Sequence, residues 1–390
     1  MKTYTGTVLD SMGGVVGSGL VLDDDGVVTE IVPATDEESQ SWIIPGLIDI
    51  HCHGGGGSSF PDNPTPQGIA QAIDCHRSVG TTALVASLVS MVDPLPAIKA
   101  LVEACEAGEL IGIHMEGPYI SPHRCGAQNP AAVRNPDLDE LCTWLEAGKG
   151  YIKTMTIAPE VPLADEAAKM LLDFGALPSW GHTSGTGEET ADRLDATAEY
   201  GESIELGGPA QTATHLFNAM PSLHHRHPGP IREFIRSARE GDMVVELVSD
   251  GVHVNPDLVH DVVRYVAEED PMGVVFVTDA MAGAGMPDGA YELGGLAVDI
   301  KGGTAMLAGT DTIAGSTARL SDELTLMVGD GYLTLPEVVR ACVAAPANAI
   351  RLDGTEPGVT LEFKVGEKAN FLVLDQFVSV KKVIREGVEL

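Results

Sequence analysis

The stretch Trp42-Ile43-Ile44-Pro45-Gly46-Leu47-Ile48-Asp49-Ile50-His51-Cys52-His53 decides how this chain reads. Its run of Ile and Leu predicts a buried strand, and the strand ends on two histidines one residue apart. Side chains along a strand alternate with period two, so His51 and His53 share one face and Cys52 points to the other. The glycines Gly54 to Gly57 then break the strand and open space at its end. Two imidazoles beside such a gap read either as part of a metal site or as exposed or core-satisfied histidines, and carboxylate and imidazole positions downstream favour the metal site.

Outward from this strand the same kind of run recurs. Leu47 to His53, Thr81 to Ser87, Ile111 to Glu116, Ile152 to Ala158, Ala176 to His182, Thr212 to Phe217, Val244 to Asp250 and Val274 to Asp279 are short and β-rich, and helical stretches separate them. Asp93-Pro94 opens one helix that closes at Gly108, and Asn255-Pro256 opens another that runs to about Glu268. The repeated βα pattern predicts an α/β chain whose residues 45–354 form a TIM-like (β/α)8 barrel. His53, Glu116, His182, His215, Asp250 and Asp279 all fall at or near the C-terminal ends of these runs, the face on which barrels assemble their sites. Of these, only Asp250 has an equally good reading as a loop or helix-capping residue. The flanks differ from the barrel. Thr3 to Val8, Gly19 to Leu22 and Val27 to Val32, with Asn370 to Leu374 and Val378 to Ile384, predict one small β-domain built from residues 1–44 and 355–390.

Imidazole and carboxylate donors suit zinc, iron, nickel or manganese, and a catalytic ion keeps one position for water. Glu116, His182 and His215 supply one set of three, while His51, His53 and Asp279 could hold a second ion, with Glu116 or a hydroxide between the two. A bound ion lowers the pKa of its water toward ~7, and Asp279 is then the natural proton carrier. His114 shares the strand face of Glu116, two residues away, and reads as a supporting or core residue. Asn218-Ala219 lies in a turn whose N–H groups can face an anion. Leu223-His224-His225-Arg226-His227-Pro228-Gly229 is a positive patch, which reads either as a solvated loop or as an anion contact, and His253 sits just past the seventh run at the same mouth.

Composition bounds the function. The 390 residues are 44% hydrophobic and 21% charged, enough for one large core, and the net charge of −34 argues against nonspecific binding to nucleic acid or an anionic membrane. An anionic substrate must therefore meet a local cluster of donors. The six cysteines (52, 75, 105, 125, 142 and 342) form no CxxC pair, which predicts reduced thiols. The start MKTYTGTVLD has no signal-peptide pattern and no segment reaches the ~18 apolar residues of a membrane span, so a cytoplasmic protein is expected.

The runs PGLIDIHCHG, HMEGPYIS, GHTSGT, THLFNAM, SDGVHV and VTDAM, in that order, resemble the N-acetylglucosamine-6-phosphate deacetylases of the amidohydrolase superfamily. The first run marks only the superfamily; HMEGP with THLFNAM is much more specific. The resemblance covers essentially the whole chain, including the closing segment Gly366 to Asp375. It implies a barrel with a small β-sandwich domain formed by both termini, a homodimer, and one or two divalent ions, zinc foremost, with iron, manganese, nickel or cobalt as alternatives. It implies Glu116, His182 and His215 as metal ligands and Asp279 as catalytic acid and base. Substrate contacts carry over to Ala127, Gln128, Asn218, Ala219, Arg226, His253, Ile313, Ala314 and Gly315, and the arginine matching Arg226 reaches across the dimer interface to the phosphate. The implied reaction removes acetate from N-acetylglucosamine 6-phosphate in amino-sugar catabolism. Some members lack the first-strand histidines and use one ion, whereas His51 and His53 are present here. Others carry histidine where this chain has Gln128, whose amide can donate a hydrogen bond to the acetamide carbonyl but cannot carry a proton.

Three rivals stand beside this reading. Cyclic amidases of the dihydroorotase or hydantoinase kind use a carboxylated lysine at the end of the fourth strand, but Lys153 lies near its start and its end reads Ala158-Pro159-Glu160. N-acetylgalactosamine 6-phosphate differs from the glucosamine sugar by one hydroxyl's orientation, which leaves no trace in sequence. A non-enzymatic scaffold would have no reason to keep Glu116, His182, His215 and Asp279 together.

Overall fold

The computed structural model describes residues 1–35 and 39–390. Eight strands, Leu47–Cys52, Thr81–Leu88, Gly112–Glu116, Ile152–Ile157, Leu177–Trp180, Thr212–Ala213, Val244–Leu247 and Val274–Phe276, pair in chain order in one sheet. Every neighbouring pair is parallel. The ring closes just past the eighth strand, where Ala280 bridges Cys52, the Asp279 N–H donates to the His51 carbonyl and the His53 N–H donates to that of Ala280. Closure is what brings the two first-strand histidines beside Asp279. The strands are buried on both faces, as Thr81–Leu88 is at all eight positions, which explains their near-continuous apolar sequence.

A helix follows each strand: Pro66–Arg77, Leu95–Glu106, Leu138–Gly148, Ala164–Asp173, Gly187–Ser203, Gly229–Glu240, Pro256–Ala267 and Leu320–Gly329. Thr65 and Asn255 cap two of them at their N-termini, each followed by proline at a position whose N–H has no helical partner. None of the described helices is long and apolar enough to cross a membrane.

Both termini build a second sheet of seven strands, with Ser41–Pro45 pairing Phe371–Asp375 antiparallel and so joining the two ends of the chain. The sheet curls until its edges meet: Val27 bridges Lys368, and a Cβ on Gly26 would lie 2.5 Å from the Gly387 carbonyl oxygen. Tyr4, Leu20, Ile43, Phe371 and Ile384 fill the space inside the roll, which is the sandwich-like form of the expected terminal domain.

Two expectations need correction. The sixth run was expected as a strand from Thr212 to Phe217, but the strand is only Thr212–Ala213, because His215, Phe217 and Ala219 all take left-handed backbone angles that a sheet cannot continue. Between the eighth strand and its helix lies an unexpected three-stranded meander, Gly289–Leu293, Leu296–Lys301 and Thr304–Leu307. Its turns are Gly294-Gly295 and Gly302-Gly303, all four at positive φ. Two glycines between two short runs are a hairpin signal that could have revealed it.

Candidate metal centre

Glu116 ends the third strand, and His182 and His215 stand two residues beyond the ends of the fifth and sixth. The Nε2 atoms of both histidines lie 2.9 Å from the same carboxylate oxygen, Glu116 Oε1, and 3.0 Å from each other. Protons satisfy such a triangle poorly, since two imidazole nitrogens compete for one acceptor and face one another. A tetrahedral ion about 2.0–2.1 Å from each donor holds donors roughly 3.3 Å apart, so this donor set fits a divalent metal. His182 Nδ1 donates to the Arg124 carbonyl at 2.8 Å, which leaves Nε2 free to face Glu116. No such partner is present for His215 Nδ1 or His53 Nδ1, both buried, among the described residues.

A second cluster adjoins the first. His51 Nε2 and His53 Nε2 are 3.2 Å apart, and His53 Nε2 lies 3.2 Å from both Glu116 Oε2 and Asp279 Oδ1. Glu116 thus turns one oxygen to each cluster, the posture of a bridging carboxylate. Behind His51, Glu246 Oε2 accepts the Nδ1–H at 2.9 Å and the backbone N–H of His215 at 3.1 Å. Sequence reading missed Glu246. The signal was there, because a glutamate inside Val244-Val245-Glu246-Leu247 is a charge in a core strand and must have a partner.

Burial opposes charge on all four groups, yet ionic neighbours win. Burial pushes the His51 imidazole down, but Glu246, Asp279 and Glu116 raise it to about 9; His53 reaches about 10 through Asp279 and Glu116. Burial likewise raises Glu116 and Asp279, but His182 and the other histidines hold the first well below the usual carboxylate range, and His53 and His51 hold the second below it. The field that retains protons on these histidines is the field that recruits a cation, and an arriving ion must displace those protons.

His182, His215 and Asp279 have φ of 48°, 28° and 48°. Such angles cost of order 1–3 kcal/mol each for residues with a Cβ and persist where surroundings enforce them. Below the ligands, hydroxyls and His114 form a buried chain: Ser87 to His114 (3.0 Å), His114 to Thr156 (2.9 Å), Thr156 to Thr214 (2.8 Å) and Thr214 to Ser179 (2.6 Å). Both ring nitrogens of His114 are occupied in this chain, and its ring packs edge-on against His51 with centroids 4.4 Å apart, so it supports a clustered histidine without joining the donor set.

A cavity of about 370 Å³ opens above these two clusters. Ala127, Gln128, Asn218, Ala219, His253, Ile313 and Gly315 line it with Glu116, His182, His215 and Asp279. Ala314 is turned away into the apolar cluster behind the wall, and His51 lies beneath the cavity floor. Gln128 has a task the sequence did not reveal: its amide nitrogen donates to Glu116 Oε2 while its oxygen accepts the Ser90 N–H, which fixes the orientation of the amide. Asp250 is not among the clustered donors. It accepts from His253 Nδ1 at 2.8 Å and aims that ring's Nε2 toward Asp279 Oδ2, 4.0 Å away. Arg226 does not line the cavity of its own chain; it sits on an exposed turn between His224 and His227, which bridge one another. The meander and the loop after it add Leu293, Asp311 and Thr312 to the wall, none of them anticipated. A larger groove of about 1370 Å³ runs along Gly229–Glu240 and Pro256–Ala267; its Arg236 pairs with Glu240 and its Arg239 with Glu268 and Glu269, and among the described residues no metal-ligating cluster faces it.

Residues 42–390 match the model of the amidohydrolase family. A solved structure of N-acetyl-D-glucosamine-6-phosphate deacetylase from Mycobacterium smegmatis, a variant in complex with N-acetyl-D-glucosamine-6-phosphate, is 34% identical with a TM-score of 0.87, covering 99% of this chain and 98% of that one. N-acetylglucosamine-6-phosphate deacetylase of Bacillus subtilis is 31% identical over 79% of this chain and 77% of its own. N-acetylgalactosamine-6-phosphate deacetylase of Escherichia coli O157:H7 is 28% identical over 93% of this chain and 92% of its own.

Proposed function

The chain belongs to the amidohydrolase family, and from that premise we propose that it hydrolyses the acetamide of N-acetyl-D-glucosamine 6-phosphate to D-glucosamine 6-phosphate and acetate, a step of amino-sugar catabolism. The observation that carries this reading is the Glu116, His182 and His215 cluster on the floor of a cavity whose rim is Asp279, in a chain that aligns end to end with deacetylases of this sugar. Residues 45–354 carry the chemistry, and residues 1–44 and 355–390 support the barrel from outside.

Glu116, His182 and His215 would hold the principal ion, and His51, His53 and Asp279 a second, with zinc foremost among ions that accept mixed nitrogen and oxygen donors. Such an ion supplies Lewis acidity toward the acetyl carbonyl and acidifies water at neutral pH. Asp279, held ionised by its histidine neighbours, takes the proton of the attacking water and delivers it to the departing sugar nitrogen. His253, fixed by Asp250, presents Nε2 beside that carboxylate and contacts the substrate. The second N–H of Gln128 faces the acetamide oxygen while the first holds Glu116. Arg226 belongs to the site of a partner protomer in a homodimer, where it meets the phosphate. Free thiols at all six cysteines fit a cytoplasmic setting.

The test is acetate release by the metal-loaded protein from four sugars: the 6-phosphates of N-acetylglucosamine and N-acetylgalactosamine, and both free sugars. The reading predicts the highest kcat/KM for N-acetylglucosamine 6-phosphate. The reverse order of the two phosphorylated epimers would move the assignment to the galactosamine sugar, which the E. coli relative's name makes the specific alternative.

A further inference from the structure

The cavity wall contains a cation that neither the ligand set nor the resemblance assigns. Among the residues that line the cavity, Arg124 is the only arginine or lysine. It is half-buried, and among the described residues its guanidinium makes no ion pair. Other arginines of this chain do: Arg77, Arg134, Arg193, Arg236 and Arg239 all rest on carboxylates. Arg226, Arg340, Arg351 and Arg385 also make no ion pair among the described residues, but of these unpaired arginines Arg124 alone lines the cavity.

Its backbone is held firmly. The Arg124 N–H donates to the Ser121 carbonyl at 3.0 Å, and the Ser121 N–H in turn donates to the carbonyl of His182 at 3.0 Å. The Arg124 carbonyl accepts from His182 Nδ1. Four residues on, Gln128 is tied to Glu116. The loop is therefore pinned at both ends to two of the clustered metal-ligating side chains, which fixes where Arg124 stands relative to the reacting end of a bound sugar.

A phosphomonoester brings about two negative charges into a cavity already lined by Glu116, Asp279 and Asp311. Arg226 lies outside this cavity in its own chain, so among the described residues the only permanent cation the chain itself offers the cavity is Arg124. A guanidinium presents a planar fork of donors that matches phosphate oxygens. We propose that Arg124 binds the substrate's phosphate from within the same chain and thereby sets the preference for the phosphorylated sugar. This deepens the deacetylase reading and rests on it.

The experiment compares wild type, Arg124→Ala and Arg124→Lys as full-length, metal-loaded proteins on N-acetylglucosamine 6-phosphate and on N-acetylglucosamine, with calorimetric titration of glucosamine 6-phosphate alongside. Arg124→Ala should lower kcat/KM for the phosphorylated sugar about 10- to 100-fold, mostly through KM, and shift the free sugar less than about threefold. Arg124→Lys should recover part of the loss, and product affinity should fall with the same ranking. An equal loss on both sugars, or an unchanged KM for the phosphorylated one, would overturn the proposal. Absence of acetate release by wild type is a different failure, that of the deacetylase reading, and the glucosamine 6-phosphate titration then decides on Arg124 alone.

Discussion

Asp279 and Glu246 are both buried carboxylates beside a histidine, and they differ in what their second oxygen meets. Asp279 Oδ2 looks across 4.0 Å to His253 at the cavity, whereas Glu246 Oε1 is sealed with no partner among the described residues. In the proposed reaction the first carboxylate exchanges a proton with substrate, and the second orients His51. Asp279→Asn should therefore cut kcat by roughly 10²- to 10⁴-fold while the ion proposed for Glu116, His182 and His215, read by elemental analysis, is retained. A near-normal rate would remove Asp279 from the proton path. Glu246→Gln should instead weaken metal retention about 10- to 100-fold in a competitive chelator titration, because the charge that steadies His51 is gone. At this scale much was legible: the HxH pair, Glu116, His182 and His215 stand out because a metal needs those side-chain types at strand ends. Glu246 and the fixed amide of Gln128 were hidden, since only the packed barrel shows which residue stands behind which ligand.

Among elements, the junction of the first strand with the helix Pro66–Arg77 is sensitive to acid. His76, in the last turn of that helix, is fully buried, and its Nε2–H donates to the Gly54 carbonyl at 2.9 Å. A Cβ on Gly55 would sit 2.7 Å from that nitrogen, so glycine is required for the approach. Burial lowers the His76 imidazole to about 4. Because the folded value lies below the ordinary 6.5, protons bind the unfolded chain first; the stabilising contribution is complete above pH 6.5 and is lost as pH falls toward 4. Between pH 7 and pH 5 this group should cost wild type about 2 kcal/mol of unfolding free energy that His76→Gln does not lose, as read by urea denaturation. Equal slopes in both proteins would contradict it. Element order was readable because eight apolar runs alternate with helix signals. The shortness of the sixth strand was not, since Thr214 to Phe217 has a strand's composition while strain at His215 and Phe217 bends it out of the sheet.

For the whole molecule, the acidic surface and the exposed Arg226 turn make the same demand. Net charge of −34 repels a phosphate, so productive binding requires cations at the cavity mouth, the parts proposed for Arg124 and for Arg226 of a partner protomer. Arg226→Ala should raise KM for the phosphorylated sugar and spare the free one. Co-expressed Arg226→Ala and Asp279→Asn chains should regain about a quarter of wild-type activity, because each mixed dimer assembles one complete site in two. Additive loss with no such recovery, measured on the co-expressed mixture, would keep Arg226 within its own chain or away from substrate.

The most direct measurement is acetate release from N-acetylglucosamine 6-phosphate by protein stripped with chelator and then titrated with zinc, run beside Glu116→Ala. The account predicts no turnover in the stripped protein, recovery that saturates with the bound ion, and none in the variant. Turnover independent of metal, or undiminished without Glu116, would contradict it.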